Sequence, residues 1–196
     1  MTAPTVLRPS TADLLALVTL EYEQLKDEQL KRIGTRDGLI YATLASVAAI
    51  MAAGIKTASP LLLLALPPTV LLLGWTYLAN DRKVTEIGAY IRTDLATRAR
   101  VLLPGADPFG WETHHRIHCA GTGRRSHKVG QLLVDLTAFC LPAIAAPAVL
   151  LCGPWPTPWW AITAALAEVA AAAVLADQIT STANLTHPAD TTGCAR

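Results

Sequence analysis

Leu61 to Ala79 reads LLLLALPPTVLLLGWTYLA, a run without one charged side chain that gives way almost at once to Asp81-Arg82-Lys83. At about 1.5 Å of rise per residue, an α-helix of this length reaches roughly 25 to 32 Å, which matches the hydrocarbon thickness of a bilayer. In hydrocarbon the backbone amides can be satisfied only within the element itself, so the run is read as a membrane-spanning helix. Leu39 to Ile55, Leu132 to Cys152 and Trp159 to Ala176 repeat the pattern. Only Lys56 to Pro60 joins the first two runs and only Gly153 to Pro158 the last two, so the spans pair into two hairpins around a long polar stretch, Asn80 to Gln131. The fold class that follows is all-α: a four-helix transmembrane protein made of two hairpins, with cytoplasmic amphipathic helices.

Composition agrees. Hydrophobic residues make up 52% of the 196 and charged residues only 16%, against about 25% charged in an ordinary soluble domain. A formal net charge of +1 supplies no general attraction to nucleic acid, so no nucleic-acid partner is expected. Distribution says more than the sum. Every Lys and Arg except Lys56 lies before the first span, between the two hairpins or in the tail, which by the positive-inside rule places both termini and the central stretch in the cytoplasm of a multi-pass cell-membrane protein. Trp155, Trp159 and Trp160 then mark the outer interface, and Trp75 and Tyr77 the inner one. Met1 to Ser10 has neither the basic start nor the apolar core of a cleavable signal peptide, so insertion is expected to rely on the spans.

The chain divides accordingly into an N-terminal cytoplasmic helix (1–37), transmembrane hairpin 1 (38–79), a cytoplasmic helix and loop (80–131), transmembrane hairpin 2 (132–177) and a disordered cytoplasmic tail (178–196). Ser10 or Thr11 is placed to cap the first helix, whose Leu14, Val18, Leu25 and Ile33 recur near helical period. Asp27 with Lys31 and Glu28 with Arg32 are favourable i,i+4 pairs. Val84, Ile87, Ile91 and Leu95 mark one face of a second amphipathic helix, from Asp81 to about Val101, stopped by Pro104 and Gly105. On connected antiparallel spans, the two are expected to pack together.

Glu168 is the most informative single residue, because a carboxylate inside an apolar span is costly and is seldom left facing lipid. On a helical wheel its face carries Ala161, Ala164, Ala165, Ala171 and Ala172, with Ile162, Leu166 and Val169 opposite. Small side chains let helices approach closely, so these alanines form a helix-association face. Glu168 itself either hydrogen-bonds a neighbouring helix as a neutral carboxyl or serves as an intramembrane functional group for a proton or cation. Pro67 and Pro68 in the second span, and Pro142 and Pro147 in the third, remove backbone donors and are candidate hinges. Asp135 and Asp177 read as boundary markers at the inner ends of the third and fourth spans.

Four of the five histidines, His114, His115, His118 and His127, gather near Cys119, but their spacing matches no zinc motif, and no metal is expected. Gly121-Thr122-Gly123-Arg124-Arg125-Ser126-His127-Lys128 lacks the GKS or GKT ending of a phosphate loop and follows no strand. Its Arg124, Arg125 and Lys128 fix the third span inside, and are candidates for contact with anionic lipid headgroups or another anionic ligand such as a nucleotide. Cys119, Cys140, Cys152 and Cys194 offer no obvious disulfide pairing and read as free thiols. No serine, cysteine or carboxylate stands in a nucleophile motif, so the chain is expected to be a non-enzyme without a cofactor.

Tyr22-Glu23-Gln24-Leu25-Lys26-Asp27-Glu28-Gln29-Leu30-Lys31-Arg32-Ile33 with Arg36-Asp37-Gly38, and Leu66-Pro67-Pro68 through Gly74-Trp75-Thr76-Tyr77-Leu78-Ala79-Asn80-Asp81, resemble uncharacterised multi-pass integral membrane proteins of actinobacteria. The plan of hydrophobic hairpins flanked by cytoplasmic helices is similar, more loosely, to the SLATT-type membrane effectors of bacterial conflict systems, which have one hairpin rather than two. That resemblance implies a bilayer-embedded homo-oligomer that answers a cytosolic signalling partner by forming a pore or perturbing the membrane. The rival expectations are a small constitutive transporter or channel with Glu168 as its proton or cation site, and a membrane anchor for a partner complex.

Overall fold

The computed structural model describes residues 10–110 and 122–182, and among them every regular element is helical. In chain order these are α1 (Thr11–Thr57), a 3-10 turn (Pro60–Ala65), α2 (Leu66–Tyr90), a π-helical segment (Ile91–Leu95), α3 (Ala96–Leu102), α4 (Thr122–Asp135), a second π-helical segment (Leu136–Cys140), α5 (Leu141–Cys152) and α6 (Trp159–Thr182). Among the described residues, four stretches are long and apolar enough to cross a bilayer: Thr11–Thr57, Pro60–Leu102, Val129–Cys152 and Trp159–Thr182. These are the four apolar runs of the sequence, each extended by polar helical turns.

The departures from regular α-helix follow the prolines. Pro67 and Pro68 cannot donate to the carbonyls of Leu63 and Leu64, and their rings crowd those groups. The second span therefore begins as a 3-10 turn, in which the Leu66 N–H reaches the Leu63 oxygen. Pro142 likewise leaves the Ala138 carbonyl without its i+4 donor, and the chain before it widens into a π turn closed by the Leu141 N–H on the Leu136 oxygen. At the turn between α5 and α6, Trp155 folds over Gly153 and its indole N–H donates to the Leu150 carbonyl at 2.9 Å. A Cβ on Gly153 would lie 2.1 Å from the Trp155 ring, so only glycine fits there.

The chain forms two units, Met1–Gly34 with Lys83–Ala120 and Thr35–Arg82 with Gly121–Arg196. In the first, Val18, Ile91, Leu95 and Ala99 are the buried core, flanked by Tyr22, Leu25, Ile87, Leu102 and Phe109. Tyr22 and Phe109 stack with ring centroids 4.4 Å apart, and the Tyr90 hydroxyl donates to Glu21 at 2.6 Å. The two amphipathic faces read from the sequence thus meet each other. Ser10 closes the N-terminus of α1 with Asp13: the Asp13 N–H donates to the Ser10 hydroxyl at 3.1 Å, and the Ser10 N–H to the Asp13 carboxylate at 2.9 Å. Lys31 with Asp27 and Arg32 with Glu28 pair along the same helix, each at 2.6 Å.

In the second unit, Tyr77, Leu78, Phe139, Cys140, Leu175 and Ile179 form one buried layer. Leu66, Val70, Ala143, Ala146 and Ala172 form another. Leu39, Ile40, Val47 and Ile50 of α1 flank these layers along one helical face. Outward-pointing Ile55, Leu72, Leu141, Leu166 and Val174 are exposed. An apolar exterior around a closely packed apolar core is the arrangement that a hydrocarbon solvent favours.

Candidate functional site

Glu168 lies on the packed stripe of α6, between Ala161 and Ala165 on one side and Ala172, Leu175 and Ile179 on the other, all five buried. Ala172 packs with Leu66, Val70, Ala143 and Ala146, so this face of α6 meets other helices of the same chain. Ala164 is half-buried and Ala171 exposed, while Leu166 and Ile162 point outward. One oxygen of its carboxylate is left without an answer: Glu168 Oε2 is buried without a hydrogen-bond partner. A buried polar atom left unpaired costs stability rather than supplying it.

The larger polar assembly is one that the sequence reading passes over. Tyr77 on α2 donates its hydroxyl to Asp135 Oδ1 on α4 at 2.8 Å. The Gln131 amide, one turn before Asp135, donates to the same oxygen at 2.8 Å and to the Tyr77 hydroxyl at 2.9 Å. One turn beyond Tyr77, Asp81 takes the Arg36 guanidinium of α1 at 3.1 Å, and Arg82 reaches Gln178 of α6 at 2.6 Å. Asp135 is therefore no boundary marker at a wet helix end. It is buried, and its oxygen is the acceptor on which two donors converge. The signal available in the sequence was the matched i,i+4 spacing of Tyr77 with Asp81 and of Gln131 with Asp135 on two adjoining span ends.

Hydroxyls along the spans turn inward on their own helices. Thr43, Ser46, Thr69 and Thr76 each donate to the carbonyl four residues back, and Thr163 to the one three residues back. Among the described residues, hydrogen bonding between helices is thus concentrated at one end of this unit, and packing holds the rest.

Of the candidate hinge residues, Pro67 and Pro147 are buried, Pro142 half-buried and Pro68 exposed. Arg124, Arg125 and Lys128 belong to α4, but their side chains lie outside the described residues. So do His114, His115, His118 and Cys119 and residues 183–196, whereas residues 178–182, expected to begin the disordered tail, are the last turn of α6. Among the described residues no three His, Cys, Asp or Glu side chains converge where a metal ion could be held, and Cys140 and Cys152 are free thiols. An apolar groove of about 410 Å³ runs between Ile40, Leu44 and Val47 of α1 and Leu133, Val134, Thr137, Ala138 and Pro142.

An all-helical chain with four apolar, bilayer-length helices is a multi-pass integral membrane protein. Comparison with protein-family models, curated proteins and solved structures finds no match to it.

Proposed function

We propose that this chain is a non-enzymatic membrane protein that works as a homo-oligomer, with both termini and the central stretch in the cytoplasm, and that its assembly opens or perturbs the bilayer on a cytosolic signal. The observation that carries the reading is the uneven coverage of the spans. Only 6% of the apolar window of α1 is buried inside the chain, against 33, 33 and 22% for the other three. The exposed side of α1 bears Ala45, Ala48, Ala49 and Ala52, small residues that let a second helix approach closely. The apolar layers inside one copy are filled by Phe139, Leu175, Leu66 and Val70, which favours a conducting path that forms between copies over one within a copy.

Single cysteines at Ala45 and Ala52, in a background with the native cysteines replaced, should cross-link copies in native membranes, while one at the groove-lining Val47 should not. Purified protein should release a trapped dye from liposomes with a steep dependence on protein-to-lipid ratio. Absence of cross-linking together with non-cooperative leakage would remove the reading. Reporter fusions in 105–123 and after Arg196 should report cytoplasm, and an insertion at Thr157 the outside.

The second reading is a transporter that binds a proton or cation at Glu168. The unpaired Oε2 favours it, and gradient-driven uptake by monomeric protein would support it over the first.

A further inference from the structure

We infer that the third span is built as a latch followed by a hinge: Asp135, held by Tyr77 and Gln131, is the latch, and the π-helical segment Leu136–Cys140 with Pro142 is the hinge. The inference concerns one copy of the chain and does not depend on how copies assemble.

Three observations meet at the same few residues. Tyr77 is almost wholly buried, at 2% exposure, and its hydroxyl is committed to Asp135 Oδ1. Gln131, on the same helix as Asp135, bonds both groups, so α4 is tied to α2 by a closed three-membered hydrogen-bond ring. At the very next residue the α-helical ladder stops. From Leu136 to Cys140 the backbone is π-helical, with the Leu141 N–H on the Leu136 oxygen, and Pro142 lacks the N–H that would re-establish the i,i+4 pattern. A π turn and a proline within one helix interrupt the ladder that makes a helix rigid.

Beyond the interruption, α5 is locked by packing. Ala143, Ala146, Pro147 and Leu150 are all buried on it. Before the interruption α4 is held more lightly: Leu133 and Val134 are exposed, 59 and 50%, Leu132 packs half-buried against the layer of Tyr77 and Phe139, and Asp135 is its one buried residue among those whose side chains are described. The polar ring, with Leu132 beside it, is therefore what keeps α4 against α2. When it opens, α4 swings about Leu136–Cys140 while α5 and α6 keep their places.

The test uses the full chain in lipid nanodiscs, with amide hydrogen exchange read along the third and fourth spans. Tyr77→Phe keeps the ring against Phe139, 5.0 Å away by centroids, and removes only the latch hydroxyl. Exchange of the amides from 129 to 140 should rise at least tenfold, and that of 143–150 and 163–179 should stay within twofold of the parent. Adding Pro142→Ala to Tyr77→Phe stiffens the hinge, so α4 can leave only by dragging the packed α5 with it, and most of the increase should disappear. Spin labels at Leu72 and Val134 read the same opening as a longer, broader distance distribution in Tyr77→Phe. Unchanged exchange and distance, or an increase spread evenly over α4, α5 and α6, would each overturn the inference: the first because the ring holds nothing, the second because the span gives way as a whole.

Discussion

Gly74 on α2 and Leu175 on α6 meet so closely that a Cβ on the glycine would lie 2.8 Å from the Leu175 Cδ2 and 3.0 Å from the Phe139 Cγ. Close approach of this kind is how helices gain packing energy in a solvent as apolar as their own side chains. Gly74→Ala should therefore cost about 1–3 kcal/mol by overpacking. Leu175→Ala alone should cost about 2–5 kcal/mol by leaving a cavity. The double variant should cost less than the sum, because the new methyl occupies part of the vacated space. Reversible unfolding in mixed micelles measures all three, and strict additivity would show that the two residues do not share that contact.

The turn between the first two apolar runs carries its own strain. Ala58 has φ of 50°, a left-handed conformation that costs a residue with a Cβ about 1–2 kcal/mol. Ala58→Gly should raise stability by up to about 1 kcal/mol, glycine's looser unfolded chain taking back part of the gain. Ala58→Val should lower it, since a β-branched residue tolerates that region least. A loss of stability in the glycine variant would contradict the turn geometry.

At the start of α1, the hydrogen bonds from the Ser10 side chain and backbone hold the Asp13 carboxyl below the usual carboxylate range. A folded pKa lower than the unfolded one means that Asp13 stabilises the helix end above the unfolded value, and that this contribution disappears as pH falls through the folded one. Protection of the amides in residues 11–17, taken as exchange relative to the intrinsic rate at each pH, should therefore fall as the solution is acidified past the ordinary aspartate range. In Ser10→Ala the same loss of protection should be present already at neutral pH and should hardly change on acidification. An identical acid response in the two proteins would show that the cap does not form.

The spans were legible because a bilayer imposes length and apolarity together, and Leu61–Ala79 meets both without help from tertiary context. Polar turns beyond the apolar runs were harder. Thr122 to Gln131 reads as a basic loop but continues the third span as α4, since helical propensity and the cost of ending a helix are not visible in hydropathy alone. The π segment at Leu136–Cys140 could be suspected from Pro142 but not located, because the ladder can rearrange at several residues before a proline. Tyr77, Gln131 and Asp135 were hidden for a different reason. Each is unremarkable at a span end, and only the pairing of α2 with α4 makes them one group.

Glu168 joins packing to function, and its variants separate the two. Ala172 is fully buried and Leu166 is 60% exposed on the other side of α6, so Ala172→Leu should cost about 1–3 kcal/mol, whereas Leu166→Phe should stay within about 0.5 kcal/mol. The carboxylate itself should behave unlike either. Because Oε2 has no partner, removing it relieves an unsatisfied buried group, and Glu168→Leu should leave the fold as stable as the parent or more so. Glu168→Gln keeps the shape and stays polar but cannot ionise. A carboxylate that serves the fold would show itself by a loss of stability in the leucine variant, and the proton or cation reading would then lose its footing. If both variants fold and assemble as the parent does but neither supports leakage or uptake, ionisation at Glu168 is what the membrane activity uses. If both retain full activity as well, the path runs elsewhere, and the open face of α1 becomes the surface on which to look for it.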